Sequence, residues 1–249
     1  MPSFRYFAPH SLAARFSAAL VASGLVLGSA GCGSITANSS DSALIRFVHV
    51  SPDTPAVDVY LNGAGAAYNL SFGTVTSYVP LSPGEARIAV HRAGTAQALV
   101  DGRTALNAAR QYTAVVTNTL GNLQETVYPD ANTPAPAGMI AVRVLHEAAG
   151  MGPVDVYVLP SGSSALFSTP TIRNLAFGGS DAYINMAAEK KYSVAVIPAG
   201  SVPALAAGAV LSGVSVSGGS GAVRTVIVTD APARSKGLSG FVLDDLETQ

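Results

Sequence analysis

Val57-Asp58-Val59-Tyr60 occurs a second time in this chain, unchanged, as Val154-Asp155-Val156-Tyr157. Side chains alternate between the two faces of a β-strand, so each tetrapeptide places its valines on one face and its Asp and Tyr on the other. Alternation of this kind, in a run of β-branched and aromatic residues, is typical of a half-buried strand. The stretch therefore predicts a strand that is present in two related domains.

Further matches surround these strands and keep the same order along the chain. Arg46-Phe47-Val48-His49 recurs as Arg143-Val144-Leu145-His146, and Thr113-Ala114-Val115-Val116-Thr117 recurs as Thr225-Val226-Ile227-Val228-Thr229. The offset between matches grows from 97 to 112 residues. Loop insertions in a duplicated domain produce this pattern, because loops tolerate changes in length and strands do not.

Short strand-like runs of Val, Ile and Tyr, separated by Gly, Pro, Asn and Asp, fill both copies. Their spacing favours a sandwich or a small barrel, and we interpret the fold as all-β, with two tandem immunoglobulin-like antiparallel β-sandwich domains. The predicted segments are a signal peptide (1–31), a flexible tether (32–42), the first sandwich (43–128), a proline-rich linker (129–138), the second sandwich (139–232) and a C-terminal tail (233–249). The tail is expected either to add an edge strand to the second sandwich or to cover the seam between the domains.

The first 31 residues have the three parts of a signal peptide. Arg5 and Arg15 provide a positive start, an apolar run follows, and small residues lead to Cys32, which is the only Cys in the chain. This position matches the lipobox of bacterial lipoproteins, although Ser29 stands where Leu is usual. The sequence therefore predicts an exported protein that is lipid-anchored through Cys32. A periplasmic or secreted protein, cleaved by a general signal peptidase, is the alternative.

The charge balance excludes one class of partner. After residues 1–31 are removed, 12 basic side chains stand against 15 acidic ones. Nucleic-acid binding normally needs clustered Lys and Arg, so no nucleic-acid partner is expected. We expect no cofactor. The expected partners are the membrane, through the lipid on Cys32, and an unidentified envelope protein or glycan.

The segment ALIRFVHVSPDTPAVDVYLNG, residues 43–63, resembles the opening of the domain-of-unknown-function family 4397. Copy two keeps Arg143, His146 and the repeated tetrapeptide, but it has Ala148-Ala149-Gly150 where copy one has Ser51-Pro52-Asp53. The resemblance implies a tandem, bacterial, secreted or lipid-anchored protein and no established activity. By resemblance to Gram-negative lipoproteins, Gly33 after Cys32 implies sorting to the outer membrane.

The repeated charged residues are interpreted as structural. Arg46 and Asp58 are both expected to face away from the apolar side of their strands. We therefore predict the cross-strand ion pairs Arg46–Asp58 and Arg143–Asp155, which would stabilise each sandwich modestly.

The two repeated histidines lie on the apolar face at a strand end. We expect His49 and His146 to bind backbone groups of the following turn. Metal binding is not expected, because a site needs three or four convergent ligands and the two histidines belong to different domains. The neighbouring carboxylates Asp244 and Asp245, in the polar tail, are expected to be solvated.

Since no group of residues forms a recognisable catalytic constellation, no catalytic residue is assigned and enzyme activity is not expected. The leading hypothesis is a noncatalytic envelope lipoprotein with a binding or structural role. The first alternative is a carbohydrate- or peptidoglycan-binding module, with Tyr60, Tyr78, Tyr157 and Tyr183 as exposed aromatic residues. The second is an envelope enzyme, which requires an interdomain cleft with a repeated histidine beside a carboxylate.

Overall fold

A computed structural model describes residues 41–203, 211, 214–232, 235 and 237–246 of the protein. Within these ranges strands account for 56% of the residues and helices for 3%, and no sheet closes into a barrel. The prediction of an all-β protein with sandwich domains is therefore confirmed. The predicted signal peptide, Cys32 and residues 33–40 of the predicted tether lie outside the described residues. No helix of the described part is long and apolar enough to cross a membrane.

The first sandwich consists of two four-stranded sheets. Its inner sheet has β1 (Ala43–His49), β4 (Val79–Leu81), β7 (Gln111–Thr117) and β8 (Gln124–Asp130), in the order β4-β1-β7-β8. Its outer sheet has β2 (Val57–Leu61), β3 (Ala64–Leu70), β5 (Gly84–Arg92) and β6 (Ala98–Leu106), in the order β3-β2-β5-β6. A short 3-10 helix, Leu120–Asn122, precedes β8.

The second sandwich repeats this arrangement. Its inner sheet has β9 (Met139–Glu147), β12 (Gly179–Ser180), β13 (Ile184–Ala187), β16 (Val223–Asp230) and β17 (Leu238–Leu246), in the order β12-β9-β16-β17, with β13 also paired to β9. Its outer sheet has β10 (Val154–Pro160), β11 (Ile172–Leu175), β14 (Tyr192–Pro198) and β15 (Val214–Val216), in the order β11-β10-β14-β15. A second 3-10 helix, Ala165–Phe167, lies between β10 and β11.

Each inner sheet contains one parallel pair of strands that the sequence pattern did not predict. β1 pairs with β7 in parallel, and β9 pairs with β16 in parallel, whereas the other pairs are antiparallel. A parallel pair needs a long crossover connection. In the first sandwich the chain between β1 and β7 supplies it and forms the whole outer sheet on the way.

Strand alternation builds the core of each sandwich. In the first, Ile45 and Phe47 of β1 pack against Val57 and Val59 of β2 and Ile88 of β5, all fully buried. A matching set from β9, β10, β14 and β16 forms the second core. Burial of such apolar side chains contributes roughly 25 cal/mol per Å² of apolar surface removed from water, which makes these two cores the main stabilising feature of the fold.

The two inner sheets pack against each other through their remaining faces. Val48 and Val115 from the first sandwich meet Leu145 and Ile227 from the second in a third apolar cluster. The molecule therefore has four layers, outer–inner–inner–outer. The central strands of the inner sheets are buried on both faces, which explains why β1 and β9 contain almost no exposed residue.

The two edge strands β8 and β17 extend this central contact. β17, which forms much of the predicted tail, pairs with β16, and its residues Phe241 and Leu243 join the third cluster. The tail thus adds an edge strand and covers the interdomain seam at the same time. β8 continues to Asp130, so the first two residues of the predicted linker belong to a strand. Pro129 is tolerated there because an edge strand does not need every N–H donor.

Candidate functional site

The repeated arginines meet in a buried polar cluster between the two inner sheets. Arg46 Nη2 donates to Asp245 of β17, and Arg46 Nη1 donates to the Asp244 carbonyl oxygen at 2.8 Å. Arg143 Nη2 donates to Asp130 of β8 at 2.5 Å, and Arg143 Nη1 donates to the Pro129 carbonyl oxygen at 2.7 Å. Each arginine therefore binds the edge strand of the opposite sandwich, so that the contacts are reciprocal.

One threonine and one tyrosine complete the environment of each carboxylate. Thr113 donates to Asp130 at 2.6 Å and accepts from the Arg46 guanidinium at 2.9 Å. Tyr78 donates to the same carboxylate at 2.7 Å, and its ring lies 4.8 Å from the Arg46 guanidinium carbon. The second sandwich repeats both contacts with Thr225 and Tyr183. We call this cluster the interdomain lock; it consists of Arg46, Arg143, Asp130, Asp245, Thr113, Thr225, Tyr78 and Tyr183.

The predicted pairs Arg46–Asp58 and Arg143–Asp155 are wrong. The arginines point into the contact between the inner sheets, whereas Asp58 and Asp155 lie in the outer sheets. Asp58 accepts hydrogen bonds from the backbone N–H groups of Asn69 and Gly94, both at 2.8 Å. The prediction failed because strand alternation shows which side chains share a face of a sheet. It does not show which other sheet packs on that face.

The repeated aspartates accept hydrogen bonds from turns in which the backbone has positive φ. Asp155 accepts from the Asn174 and Gly200 N–H groups at 2.8 and 2.9 Å, as Asp58 does in the first copy. Asn174 and Gly200 have φ of 52° and 75°. The carboxylate thus supplies acceptors for two backbone N–H groups at these turns, which would otherwise need another partner.

Both repeated histidines bind backbone groups of the following turn, as predicted. The Ser51 N–H donates to His49 Nδ1 at 3.3 Å, so Nε2 carries the proton and faces the Pro55 carbonyl oxygen at 3.3 Å. His146 makes the equivalent contacts with Ala148 N–H and the Gly152 carbonyl oxygen. Burial lowers the pKa of each ring, which keeps both neutral.

Three of the four tyrosines predicted to form an exposed binding surface do not do so. Tyr78 and Tyr183 belong to the interdomain lock, and burial raises the pKa of each phenol. Tyr157 is only 2% exposed. These predictions are wrong because period-two alternation cannot tell an outer face from a covered one. Tyr60 is half-buried, as Tyr78 and Tyr183 are, but it lies on the outer sheet and outside the interdomain lock.

Tyr60 lies in a row of three rings that crosses neighbouring strands. Tyr68 of β3 stands edge-on to Tyr60 of β2, with ring centroids 6.1 Å apart, and is 63% exposed. On the other side His91 of β5 lies 4.7 Å from Tyr60 between ring centroids. We call Tyr68, Tyr60 and His91 the aromatic row.

A shallow groove of about 500 Å³ adjoins the aromatic row. Its floor is Ala89, which pairs with Tyr60 across β2 and β5, and the Gly94-Thr95-Ala96 turn closes one side. Arg87 lines the opposite side and donates to the Asp101 carboxylate through Nε at 2.7 Å. The aromatic row and the Arg87–Asp101 pair are therefore the two chemical features of this surface.

The charges around the groove give no positive excess, and the Asp58 carboxylate also lines the groove. The Arg87 guanidinium hydrogen-bonds to Asp101 and lowers the pKa of that carboxyl group, so both side chains are ionised at neutral pH. Next to them, Arg103 pairs with Glu85. An excess of positive charge, which an anionic ligand would require, is not present in these four side chains. The groove suits an uncharged ligand with hydroxyl groups and apolar ring faces.

The described residues of the second sandwich do not form this surface. Tyr157 pairs with Ala195 as Tyr60 pairs with Ala89, so the two outer sheets can be matched position by position. At the positions of Arg87 and His91 the second copy has Ser193 and Ile197. The candidate site therefore belongs to the first sandwich only.

Sequence reasoning missed the partners of the arginines and most of the groove. Asp245 was expected to be solvated but is only 5% exposed, and Asp130 was assigned to the linker. A signal for both existed: each lies in the strand that follows the repeated threonine strand. Arg87 and His91 are unrepeated, so the repeat could not point to them. In the described part of the chain no group of three or more His, Cys, Asp or Glu residues is arranged to hold a metal ion.

Residues 43–157 match the family model described as "Domain of unknown function (DUF4397)". The resemblance to this family is therefore confirmed over residues 43–157. The DUF4397 match covers the first sandwich and ends within β10 of the second. No curated protein matches the chain.

Two solved structures show a limited similarity to this chain. The crystal structure of the family CBM26 module CBMbc of Eubacterium rectale Amy13K, in complex with maltoheptaose, has a TM-score of 0.27 at 14% identity and covers 82% of this chain and 97% of that one. A structure of α-glucan binding by a streptococcal virulence factor has a TM-score of 0.23 at 12% identity, with coverages of 62% and 80%. TM-scores this low do not establish a shared fold, so neither structure informs the function of this chain.

Proposed function

We propose that this protein is an exported, lipid-anchored, noncatalytic module that binds a glycan of the cell envelope through the groove of its first sandwich. The aromatic row beside the Arg87–Asp101 pair is the observation that carries the proposal. Sugars present an apolar face of C–H groups and a polar edge of hydroxyl groups. An aromatic ring packs against the first. A guanidinium that donates and a carboxylate that accepts bind the second.

The noncatalytic part of the proposal rests on how the repeated polar residues are used. An enzyme would need a repeated histidine beside a carboxylate in an interdomain cleft. His49 and His146 are fully buried and bind backbone groups, and the arginines and aspartates of the repeat are engaged in the lock and in turns. The histidines, arginines and aspartates of the repeat therefore stabilise the fold.

The anchoring part of the proposal rests on the sequence around Cys32. Several acyl chains on one Cys, at roughly 0.8 kcal/mol per buried methylene, hold a protein on a membrane essentially permanently. The residues between Cys32 and β1 would then act as a tether that leaves the sandwiches free to reach a glycan. We place the protein in the bacterial envelope, at the outer membrane, with a periplasmic or secreted protein as the alternative.

Glycan binding is tested with the mature protein, residues 33–249, on an array of bacterial and plant glycans. We expect binding to at least one neutral glycan, and loss of that binding in Tyr60→Ala and in Arg87→Ser, because Ser is the residue that the second copy carries at this position. Arg173→Ser, which removes an exposed arginine from the second sandwich, is the matched control and should bind normally. If the protein melts cooperatively, and is therefore folded, but binds no glycan on the array, the proposal is overturned.

Lipid anchoring is tested separately in cells. Radiolabelled palmitate should enter the wild-type protein and should not enter Cys32→Ala. Unlabelled wild-type protein would overturn the lipid assignment and favour the periplasmic or secreted form.

A further inference from the structure

We infer that the groove takes a linear chain of at least three sugar units, laid across the strands of the outer sheet, and not a single sugar. The inference rests on the proposed glycan binding and adds the size and direction of the ligand. It is carried by the length of the aromatic row, by the position of the ion pair beyond it, and by a close contact at Gly65.

The aromatic row is longer than one sugar ring. Its members lie on β3, β2 and β5, which are consecutive in the sheet. Ring centroids are separated by 6.1 Å between Tyr68 and Tyr60 and by 4.7 Å between Tyr60 and His91. Neighbouring strands are about 4.8 Å apart, so the row spans two strand spacings, whereas a pyranose covers about one aromatic ring.

The polar side chains continue the line of the aromatic row. Ala89 pairs with Tyr60 on one side and with Asp101 on the other, so these three residues form one straight register across β2, β5 and β6. The small Ala89 side chain leaves a floor over which a chain can pass. The Tyr68 and Tyr60 rings stand at 87° to each other, so a glycan that packs on both turns between them. It then crosses that floor to the hydroxyl-binding pair Arg87–Asp101.

These features define three consecutive positions for sugar units. The first lies at Tyr68, the second at Tyr60 and His91, and the third at Arg87 and Asp101. Apolar contact dominates the first two positions and hydrogen bonding the third. Tyr68 and Asp101 lie on the two outermost of four consecutive strands, too far apart for a single sugar to contact both. We therefore expect binding to strengthen as the chain grows to three units.

Gly65 leaves the space that the Tyr68 ring occupies in the aromatic row. A Cβ atom at residue 65 would lie 1.7 Å from the Tyr68 hydroxyl oxygen, so the phenol ring lies directly over the glycine. Residue 65 is in β3 and has no positive φ, so a β-branched residue is acceptable to its backbone. Gly65→Val is therefore a way to displace Tyr68 from the aromatic row without removing the ring.

The test is calorimetric titration of the mature protein with three soluble series of one to six units: cello-oligosaccharides, chito-oligosaccharides and malto-oligosaccharides. For at least one series we expect affinity to rise at least about tenfold from one to three units and then to level off. Tyr68→Ala and Gly65→Val should each lower the affinity for the trisaccharide about tenfold, in line with the loss of one aromatic contact. Arg173→Ser should change neither the affinity nor its dependence on chain length.

The outcomes separate the inference from the function on which it rests. Equal affinity for one and three units would overturn the three-unit site and leave glycan binding standing. A trisaccharide affinity unchanged in both Tyr68→Ala and Gly65→Val, with melting temperatures near that of the wild type, would overturn the role of Tyr68 and hence the length of the site. No binding by any series would overturn both proposals.

Discussion

At the scale of single residues, Glu147 carries a carboxyl group into the contact between the inner sheets. The Tyr128 hydroxyl lies against this carboxyl group and 2.9 Å from the Gly178 carbonyl oxygen. The hydroxyl donates to Glu147 Oε1 and shares its one proton with the Gly178 carbonyl oxygen, while Glu147 Oε2 is buried without a hydrogen-bond partner among the described residues. Burial raises the pKa of Glu147 to about 7, which favours the neutral form.

The first copy of the repeat has an apolar residue at the position of Glu147. Glu147 corresponds to Val50 at the 97-residue offset, and both lie in the third apolar cluster or beside it. The neighbouring backbone contacts are reciprocal as well: Thr117 donates to the Glu147 carbonyl oxygen and Thr229 to the Val50 carbonyl oxygen. The acid is therefore a local departure from an otherwise symmetric interface.

Glu147→Gln tests the pH dependence that follows. Below pH 4.5 Glu147 is protonated in the folded and unfolded states, and its contribution to stability is fully present. Between that pH and about 7 the unfolded chain ionises first, so the wild-type free energy of unfolding should fall by up to about 3 kcal/mol relative to the glutamine variant. Urea unfolding of both proteins from pH 4 to pH 8 measures this difference.

Comparison with the glutamine variant isolates Glu147 from two other effects. Burial also raises the pKa of Glu125 to about 7, which gives a slope of the same sign. The lowered pKa values of His49 and His146 give the opposite slope below pH 6.5. These contributions are common to both proteins. Parallel stability curves for wild type and Glu147→Gln would show that Glu147 titrates normally.

At the scale of elements, β17 has two different faces. Leu243 is 3% exposed and packs in the cluster between the sandwiches, whereas its neighbour Val242 is 38% exposed. Asp244 is exposed and Asp245 is buried in the lock. This alternation is that of an edge strand with one covered face. The C-terminal strand therefore holds the two sandwiches together through an apolar and an ionic contact.

Leu243→Ala should lower the free energy of unfolding by about 2–5 kcal/mol, because it leaves a cavity in the central cluster. Val242→Ala removes a neighbouring side chain that points outward, and it should change the free energy by much less. Thermal and urea unfolding of the two variants test the assignment of faces. Equal destabilisation by both substitutions would contradict it.

At the scale of the whole molecule, the interdomain lock is organised as an approximate twofold repeat. Each sandwich contributes one arginine and one aspartate, and each arginine binds the aspartate of the other. All four side chains are nearly fully buried, and their charges cancel. Buried ion pairs contribute little net stability compared with apolar contacts, but the removal of one partner leaves an uncompensated buried charge. The lock therefore fixes the relative orientation of the sandwiches.

Arg46→Met should destabilise the protein by about 3–5 kcal/mol, since Asp245 loses its nearest cation in a buried site. The wild type should unfold in one transition, with tyrosine fluorescence and circular dichroism coincident. In Arg46→Met the contact between sandwiches weakens, and the slope of the free energy with urea should fall as the two sandwiches unfold separately. Arg173→Ser is the control on the surface. A single, unshifted transition in Arg46→Met would contradict the role of the lock.

Much of the fold could be predicted from local patterns. Alternation placed Ile45 and Phe47 in a core and Arg46 on the opposite face, and both positions are correct. The repeat predicted that the second half of the chain would have the same strands, and the position of His49 at a strand end predicted its backbone contacts. These features depend only on neighbouring residues and on the period of a strand, so one sequence contains them.

Only the tertiary structure decided what covers the second face of each inner sheet. Arg46 and Asp245 are separated by 199 positions in the chain, and no local pattern relates them; they meet because the two inner sheets pack face to face. The same packing placed Tyr78 and Tyr183 in the interdomain lock, while Tyr60 stayed half-buried on the outer sheet beside Arg87 and His91. By itself the sequence determined the strands, their apolar faces and their duplication, because these are local properties. The pairing of charges and the position of the groove arise from long-range packing, which brings together residues far apart in the chain.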